Sequence, residues 1–588
     1  MSQTCRDRAL GRCGFLAPVR KDSPYRDCKI HRIECCALPV YKCTCQVVLG
    51  RPGAVFNLAC DADPLQGVVK TAKDLATRKS LRAIHVFSEG SPLEDRFMKQ
   101  FKLILCLAAL GNMIAGPFVG SSSGAIRLPM PFAAIDTTNC VANSPTVWFA
   151  ATNGNDSNNG KTPQTPMGAY GATQAALPGH RICFLGGTYR ETGTFYPPRS
   201  GTPSAWIVYQ AYGDGPVNVV WTPTAMPCPP VGTADCTMVN FIPSSGNSYL
   251  EFRGFTFYGQ GLAGHAFSCN NSHHLRFIGN TVYNVQGAGV GAVQCDYLVS
   301  DHNIVYHSGY SGTTASWTSG ISYNQIKAFD CNDGLHNVIS NNIVVGQYDN
   351  SPNHSDGNGF ILDIDATPSV CSGTAAPYEP AALIVNNVAY GNGGRCAEAF
   401  EVSFFWMMAN NTCYINNLDN VNANQANTGS LSANAANNGY FADNISVSWQ
   451  ASNPPYDRRN ANANIQYFAN LAWGGPCWSD PDGSDFCVSN PQFIKADPRF
   501  AAAPYFDPTA AGQYAPAAPP FLLANGLAPQ AVSPVNCQGV DPTTLPGVPA
   551  QIAADMQNPS NAYYIYKDFN GNARPGAGGC WDLGAYQH

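Results

Sequence analysis

Short apolar strands interrupted by asparagine recur between residues 249 and 475. In each copy, alternating apolar residues precede an asparagine and a second apolar pair follows it, as in FIGNTVYN, which ends at Asn284. The equivalent asparagines are Asn280, Asn303, Asn342, Asn387, Asn411, Asn444 and Asn470. Their spacings of 23, 39, 45, 24, 33 and 26 residues predict a coil of two dozen residues with loops inserted into the longer copies.

Strands this short cannot form an independent sheet, since each spans only four or five residues. Stacking resolves the difficulty, because each coil can pair with the coils above and below while its inward side chains share one apolar core. Asparagine tolerates the left-handed backbone of a corner, and stacked amides can bond along a column. The pattern therefore predicts an all-β chain folded as a parallel β-helix with an asparagine ladder.

Three stretches resemble the right-handed β-helix proteins of the pectate-lyase-like superfamily. They are the entry at 147–192, with a strand, a Gly-Asn-Asp turn and GGTYRE, the middle NHSDGNGFILDID with the coils after it, and the tail KDFNGNARPGAGGCWDLGAYQH at 567–588. The resemblance covers residues 145–588 and implies a right-handed, single-stranded parallel β-helix over 140–498 with a short N-terminal capping helix. Residues 499–588 begin with a Pro- and Ala-rich stretch and are expected to form a loop-rich cap that covers a sheet end.

Charge separates the first part of the chain from the rest. Residues 1–97 carry 16 Lys+Arg and 10 Asp+Glu, a net of +6, whereas residues 98–588 carry 17 and 29, a net of 17 − 29 = −12. A basic pentapeptide at 98–102 precedes an apolar run of signal-peptide length, which is too short for a membrane span. We therefore expect a signal peptide at 98–121, a natural start at Met98, and an upstream Cys-rich segment at 1–97 outside the mature fold. The alternative is a genuine Cys-rich module.

Fourteen cysteines follow the predicted signal, an even number that suits disulfides in an oxidising compartment. Charged residues make up only 12% of the chain and its net charge is −6, so nothing suggests nucleic-acid binding. These features favour a secreted protein, expected to be a monomer.

The stretch NHSDGNGFILDID gathers three carboxylates in a chain that is poor in charge. Asp356 before Gly357 indicates a turn, and 360–365 indicates a strand. Period-2 alternation places Phe360, Leu362 and Ile364 towards the core and Asp363 and Asp365 outwards. Aligning neighbouring coils on their glycines stacks 320–324 on one side of this strand and 395–400 on the other. The expected outward patch, with two cations at its margins, contains Ser322, Asn324, Asp363, Glu398, Lys327 and Arg395.

The resemblance implies a lyase that cleaves an acidic polysaccharide by β-elimination. Such chemistry needs a base and neutralisation of the charge that develops on the substrate. Lys327 or Arg395 would be the base, and calcium, which favours oxygen ligands, would bind Asp356, Asp363 and Asp365. The expected substrate-binding residues are Tyr323, Asn324 and Glu398.

Two alternatives stay open, because the chain contains neither the W-[IV]-D-H and R-x-P-x-x-R segments of pectate lyases nor the N-T-D, D-D and G-H-G series of galacturonases. One is an inverting hydrolase that uses Asp363 and Glu398, which requires carboxyl groups roughly 6.5–9.5 Å apart. The other is a non-catalytic adhesion protein whose β-helix is a rigid glycan-binding rod, since fold alone does not determine function.

Overall fold

The computed structural model divides into two compact units, Met1–Ala125 and Ile126–His588, and each is considered by itself. In the first unit only four strands are described, β1 (Arg12–Phe15), β2 (Ile30–Ala37), β3 (Lys42–Leu49) and β4 (Val55–Asp61), which pair in this order as an antiparallel sheet. In the second unit the described residues are 139–222, 236–242, 247–309, 318–351, 354–365, 381–419, 428–449, 452–460, 464–479, 485–504, 524–576 and 578–588. The predicted signal peptide at 98–121 lies outside the described residues.

Three sheets of parallel strands form the second unit, and from Ile207 to Ser479 each turn of the chain contributes one strand to each sheet. Sheet A has nine strands: β10 (Val239–Phe241), β13 (Phe267–Asn270), β16 (Val290–Val293), β19 (Ile321–Ile326), β22 (Phe360–Asp365), β25 (Ala397–Phe400), β28 (Leu431–Asn434), β31 (Tyr456–Arg459) and β34 (Trp478–Ser479). Sheet B has eleven: β5 (Val147–Ala150), β6 (Arg181–Phe184), β8 (Ile207–Ala211), β11 (Leu250–Arg253), β14 (His273–Ile278), β17 (Asp296–Asp301), β20 (Leu335–Ser340), β23 (Ala381–Val385), β26 (Trp406–Ala409), β29 (Gly439–Ala442) and β32 (Gln466–Phe468).

Sheet C also has eleven strands: β7 (Gly187–Glu191), β9 (Val217–Trp221), β12 (Phe255–Tyr258), β15 (Thr281–Tyr283), β18 (Ile304–Ser308), β21 (Ile343–Gln347), β24 (Val388–Tyr390), β27 (Thr412–Tyr414), β30 (Ile445–Val447), β33 (Asn470–Trp473) and β35 (Phe493–Ile494). The short helices are α1 (Ala169–Ala175), α2 (Phe486–Ser489), α3 (Ala550–Gln557) and a 3-10 turn at Pro542–Thr544. The predicted parallel β-helix is confirmed, and α1 contributes Ala172 to its interior, as a capping helix should.

The asparagine ladder is confirmed as a continuous column at the corner between sheets B and C. Each side-chain amide donates to the Oδ1 of the next ladder asparagine, at 3.2 Å from Asn280 to Asn303 and at 3.0 Å from Asn387 to Asn411. The left-handed residue, however, is the one that precedes each ladder asparagine, such as Asn386 with φ 56° before Asn387. The ladder residue itself is buried and satisfies backbone groups of neighbouring coils.

One apolar cluster fills the interior of the helix and takes side chains from all three sheets. Five disulfides join described residues, at Cys140–Cys183, Cys269–Cys295, Cys396–Cys413, Cys477–Cys487 and Cys537–Cys580. Among the described residues, no helix is long and apolar enough to cross a membrane.

The C-terminal segment packs along the side of the helix. Ile552, Met556 and Trp581 cover the outward apolar residues of sheet B, and Phe569 and Tyr586 cover those of sheet C. The segment therefore removes apolar surface of two sheets from water, and its predicted role as a cap over a sheet end stays a prediction.

Candidate functional site

The outward face of sheet A carries polar side chains in two columns that run along the helix. Strand pairing aligns Asn324 with Asp363, Asp363 with Phe400, and Phe400 with Asn434. The adjacent column contains Ser322, Ile361, Glu398, Ser432 and Asp457. Neighbouring strands lie about 4.8 Å apart, so each column brings side chains from successive coils together.

Strand β22 spans 360–365 as predicted, with Phe360 and Leu362 in the interior cluster and Asp363 on the opposite face. The alternation ends at Ile364, which has φ 59° and is absent from the apolar clusters of the described residues. The expectation that Ile364 faces the core is therefore wrong, because the chain turns its corner there. The side chain of Asp365 lies outside the description, so its predicted orientation stays a prediction.

Asp363 is only 9% exposed and accepts a hydrogen bond of 2.8 Å from the Asn324 side-chain amide. Burial, together with the negative charges of Glu398 and Glu401, raises the pKa of Asp363 to about 7, although the positive charge of Arg395 opposes the shift. Near neutral pH this carboxyl group therefore exists in both its protonated and its ionised form.

Glu398 forms a buried ion pair with Arg395, in which Nη1 lies 2.8 Å from Oε2. Burial raises the pKa of Glu398, the Arg395 guanidinium lowers it, and Asp457 raises it further. Oε1 of Glu398 and Nε of Arg395 have no hydrogen-bond partner in the described part of the protein. A buried polar atom without a partner costs about 1–3 kcal/mol, which makes both atoms candidates for contact with a ligand or water.

Asp356 is buried just before strand β22, next to Gly357, whose φ of 79° fits the predicted turn. Its pKa is raised well above the usual value, first by burial and then by Asp363, Asp349 and Glu398. Arg395 again opposes the shift. One guanidinium group thus opposes the negative charge of three carboxyl groups, and burial, together with the surplus negative charge, raises the pKa values of all three.

Three further aspartates fix the connections that lead into sheet A. Asp349 accepts a hydrogen bond of 3.0 Å from the Ser355 backbone N–H, and Asp457 accepts one of 2.8 Å from Gly429. Asp419 accepts a bond of 2.9 Å from the Tyr348 hydroxyl, and its other oxygen lies 2.9 Å from His354 Nδ1. Asp349 and Asp419 were not predicted, because they lie in connections that carry no periodic signal, whereas the outward position of Asp457 on β31 could have been inferred from alternation along that strand.

Two predicted site residues do not join this cluster. The Tyr323 ring is fully buried in the interior, where its hydroxyl donates to Ser300 Oγ at 2.9 Å, so the predicted substrate-binding role is wrong. Lys327 is exposed just past β19, whose Ile326 pairs with Asp365, and it forms no ion pair within the described residues. Its proposed role as a base stays a prediction.

The predicted calcium ligands also stay a prediction. Within the described ranges, the groups of three possible ligand atoms within 4.8 Å of one another are Cys477, Asp485 and Cys487, and Cys537, Cys580 and Asp582. All four cysteines are in disulfides and therefore offer no thiolate. Asp356 and Asp363 offer the hard oxygen donors that calcium prefers and a surplus of negative charge, so their chemistry fits the ion.

No protein-family model matches the sequence, and no curated protein matches it. Among solved structures, the chain is similar to pectate lyase Pel9A with 15% identity and a TM-score of 0.44, over 78% of this chain and 100% of that one. It is also similar to an alginate lyase from Paenibacillus sp. str. FPU-7, with 15% identity and a TM-score of 0.31 over 53% and 92% of the two chains. A complex of XylC with xylose shows 10% identity and a TM-score of 0.36 over 61% and 88%. The parallel strand pairing, and not these likenesses, establishes the fold.

Proposed function

We propose that the protein binds a polysaccharide at the outward face of sheet A and hydrolyses it, with Asp363 as proton donor and Glu398 as proton acceptor. The observation that carries the proposal is the pKa of Asp363, about 7, next to a Glu398 carboxylate bound by Arg395. A pair of carboxyl groups in which one is protonated near neutral pH and the other is held by a cation suits acid–base cleavage of a glycosidic bond.

The separation of the two residues also supports hydrolysis. Asp363 and Glu398 lie on neighbouring strands and are offset by two residues, because Glu398 pairs with Ile361. With strands about 4.8 Å apart and a rise of about 3.3 Å per residue, their Cα atoms are roughly 8 Å apart. Side chains on one face of a sheet project in nearly the same direction, so this Cα spacing is compatible with the separation of about 6.5–9.5 Å between the carboxyl groups of inverting glycosidases, which leaves room for a water molecule.

In this reaction protonated Asp363 gives its proton to the glycosidic oxygen as the bond from that oxygen to the anomeric carbon breaks. A water oxygen bonds to the anomeric carbon, and Glu398 takes the proton that the water loses. Asp363 finishes ionised and Glu398 protonated, so one proton transfer back through solvent restores the site. Arg395 is a positioning residue, because it orients Glu398 through their ion pair.

β-Elimination from an acidic polysaccharide is the second candidate. The observation that favours it is the raised pKa of Asp356, since a bound divalent cation would neutralise the negative charge gathered there and would then offer a ligand position to the uronate carboxylate. Asp356, Asp363 and Asp365 would hold calcium, which would neutralise the substrate carboxylate, and Lys327 or Arg395 would accept the proton.

Product analysis distinguishes the candidates. The purified chain is incubated with neutral glycans (xylan, galactan, mannan and β-glucan) and acidic ones (polygalacturonate and alginate), with calcium or with a chelator. Hydrolysis creates reducing ends without the ultraviolet absorbance of unsaturated uronates, whereas elimination creates both and depends on calcium. Glycan binding without either product would favour the adhesion protein and contradict both candidates. The exposed Asp333 provides the matched control D333N for the variant D363N.

We also propose that the protein acts outside the cell, which the five disulfides of the described residues support. Cleavage of the predicted signal would leave a mature chain that begins near residues 115–121. Mass spectrometry of the natural N-terminus tests this, and a mature chain that starts before Met98 would contradict it.

A further inference from the structure

Phe400 occupies an outward position on sheet A, next to the candidate proton donor. Ala397 and Ala399 on the same strand belong to the interior cluster, so alternation directs Phe400 to the opposite face. Its register partner on the preceding strand is Asp363, and its partner on the following strand is Asn434. The ring is half-buried.

Within the described residues, the Phe400 ring has no packing partner in the apolar core. Phe400 belongs to none of the five apolar clusters of the described residues, and no other described aromatic ring contacts it. By contrast Phe405, also half-buried, packs 5.2 Å from the Tyr440 ring and joins the cluster under the C-terminal segment. A phenyl group left partly in water among amides and carboxyl groups gives up hydrophobic stabilisation that burial would provide.

We infer that Phe400 is the stacking platform for one sugar ring of the bound glycan. This sugar lies next to the glycosidic bond whose oxygen Asp363 protonates. This inference rests on the proposed function of the site. The apolar face of a pyranose carries C–H groups, which pack against the negative π face of an aromatic ring. The strand spacing of about 4.8 Å between Phe400 and Asp363 is close to the length of one sugar residue in an extended glycan.

The neighbours of Phe400 define the class of sugar. Asn434, half-buried in the same column, bonds the Asn460 side-chain amide at 2.7 Å, and these amides offer partners to hydroxyl groups. The exposed Glu401 follows Phe400 in sequence, and Asp363 beside the ring becomes ionised once it has given up its proton, so a uronate carboxylate stacked here would meet negative charge. The structure therefore assigns a neutral pyranose to this position.

The experiment compares F400A, F400W and F405A for cleavage and for binding, measured by affinity electrophoresis in gels that contain each neutral glycan of the panel. F400A is expected to raise KM and Kd about tenfold, which corresponds to one aromatic contact, with kcat and thermal midpoint almost unchanged. F400W should bind the glycan about as tightly as the native protein does, because it keeps an aromatic ring at this position. F405A should lower the thermal midpoint and leave KM and Kd unchanged, because its ring packs under the C-terminal segment.

Unchanged KM and Kd in F400A would overturn the inference while leaving the proposed hydrolysis intact. If the native protein binds a neutral glycan without cleaving it, a tenfold loss of binding in F400A supports the stacking platform although the proposed reaction fails. If the native protein binds no neutral glycan, the inference is overturned. Tighter binding of polygalacturonate than of every neutral glycan, with dependence on Phe400, would overturn the assignment of a neutral sugar.

Discussion

Sheet A and sheet B have the same alternation of inward and outward side chains, but the outward side chains differ in polarity. On sheet B the outward residues of the middle coils, such as Leu383 and Met407, are apolar and lie under Ile552 and Trp581 of the C-terminal segment. On sheet A the corresponding positions hold Asp363, Glu398 and Asp457, with buried ion pairs.

The difference between the two outward faces distinguishes residues that stabilise the fold from residues of the candidate site. Inward residues on both sheets contribute to one core, so they are constrained by packing. Outward residues on sheet B stabilise the protein by burial, whereas those on sheet A include carboxyl groups whose ionisation costs free energy. A stable scaffold that tolerates such costs at one face is the arrangement expected of a functional site.

The largest expected effect comes from D363N, which removes the proton donor from sheet A. Cleavage should fall about 10²- to 10⁴-fold, the usual contribution of a positioned acid or base. Rates of reducing-end formation for the native protein, D363N and D333N measure the effect. A cleavage rate of D363N within threefold of the native rate would contradict the role of Asp363 on sheet A as the proton donor.

D363N should stabilise the protein above pH 7, although it lowers the rate of cleavage. The pKa of Asp363 is raised in the folded state to about 7, so ionisation there destabilises the fold progressively as pH rises from about 4 to 7. Above pH 7, D363N should therefore increase the free energy of unfolding by up to about 4 kcal/mol, and near pH 3.5 it should change little. Urea unfolding of both proteins at pH 3.5, 6 and 8 measures this. An equal effect at all three values would contradict the raised pKa.

On the covered face, L383A should cost stability without affecting the site. Leu383 is fully buried on β23 beneath the C-terminal segment, and removing a buried leucine side chain costs about 2–5 kcal/mol. The thermal midpoint should fall and limited proteolysis of residues 524–588 should become faster, while KM stays unchanged. A tenfold rise in KM at a temperature where L383A is folded would show that the two faces are coupled.

Chelation has the smallest expected effect, because the proposed hydrolysis at sheet A relies on Arg395, and not on a metal ion, as its cation. Treatment with a chelator should change the rate less than twofold. Loss of cleavage that calcium restores, with unsaturated products, would instead favour β-elimination and the predicted ligands Asp356, Asp363 and Asp365.

The repeat was predictable from sequence because its causes are local and periodic. The spacing of the asparagines predicted the ladder, and alternation predicted both the strand at 360–365 and the outward position of Asp363. Gly320 was aligned correctly with Gly359, since Ile321 pairs with Phe360. The coil at 395–400 stacks on the other side of β22 as predicted, but Cys396 and not a glycine lies beside Gly359, because Phe360 pairs with Ala397.

The site was only partly predictable, because it depends on contacts between coils. Arg395 and Glu398 were identified as neighbours of Asp363, but their ion pair and its burial follow from packing. Tyr323 was assigned to the surface for its aromatic character, although its spacing from Ile321 places it inside. Asp349 and Asp419 come from connections whose paths are not encoded by alternation.

The most direct test of the account is the titration of the Asp363 carboxyl group, followed by carbon-13 NMR as the difference between the native protein and D363N. We expect a midpoint near pH 7, because burial and the neighbouring Glu398 and Glu401 disfavour the ionised form. A midpoint near 4, the value of an ordinary aspartate, would contradict the assignment of Asp363 as the proton donor.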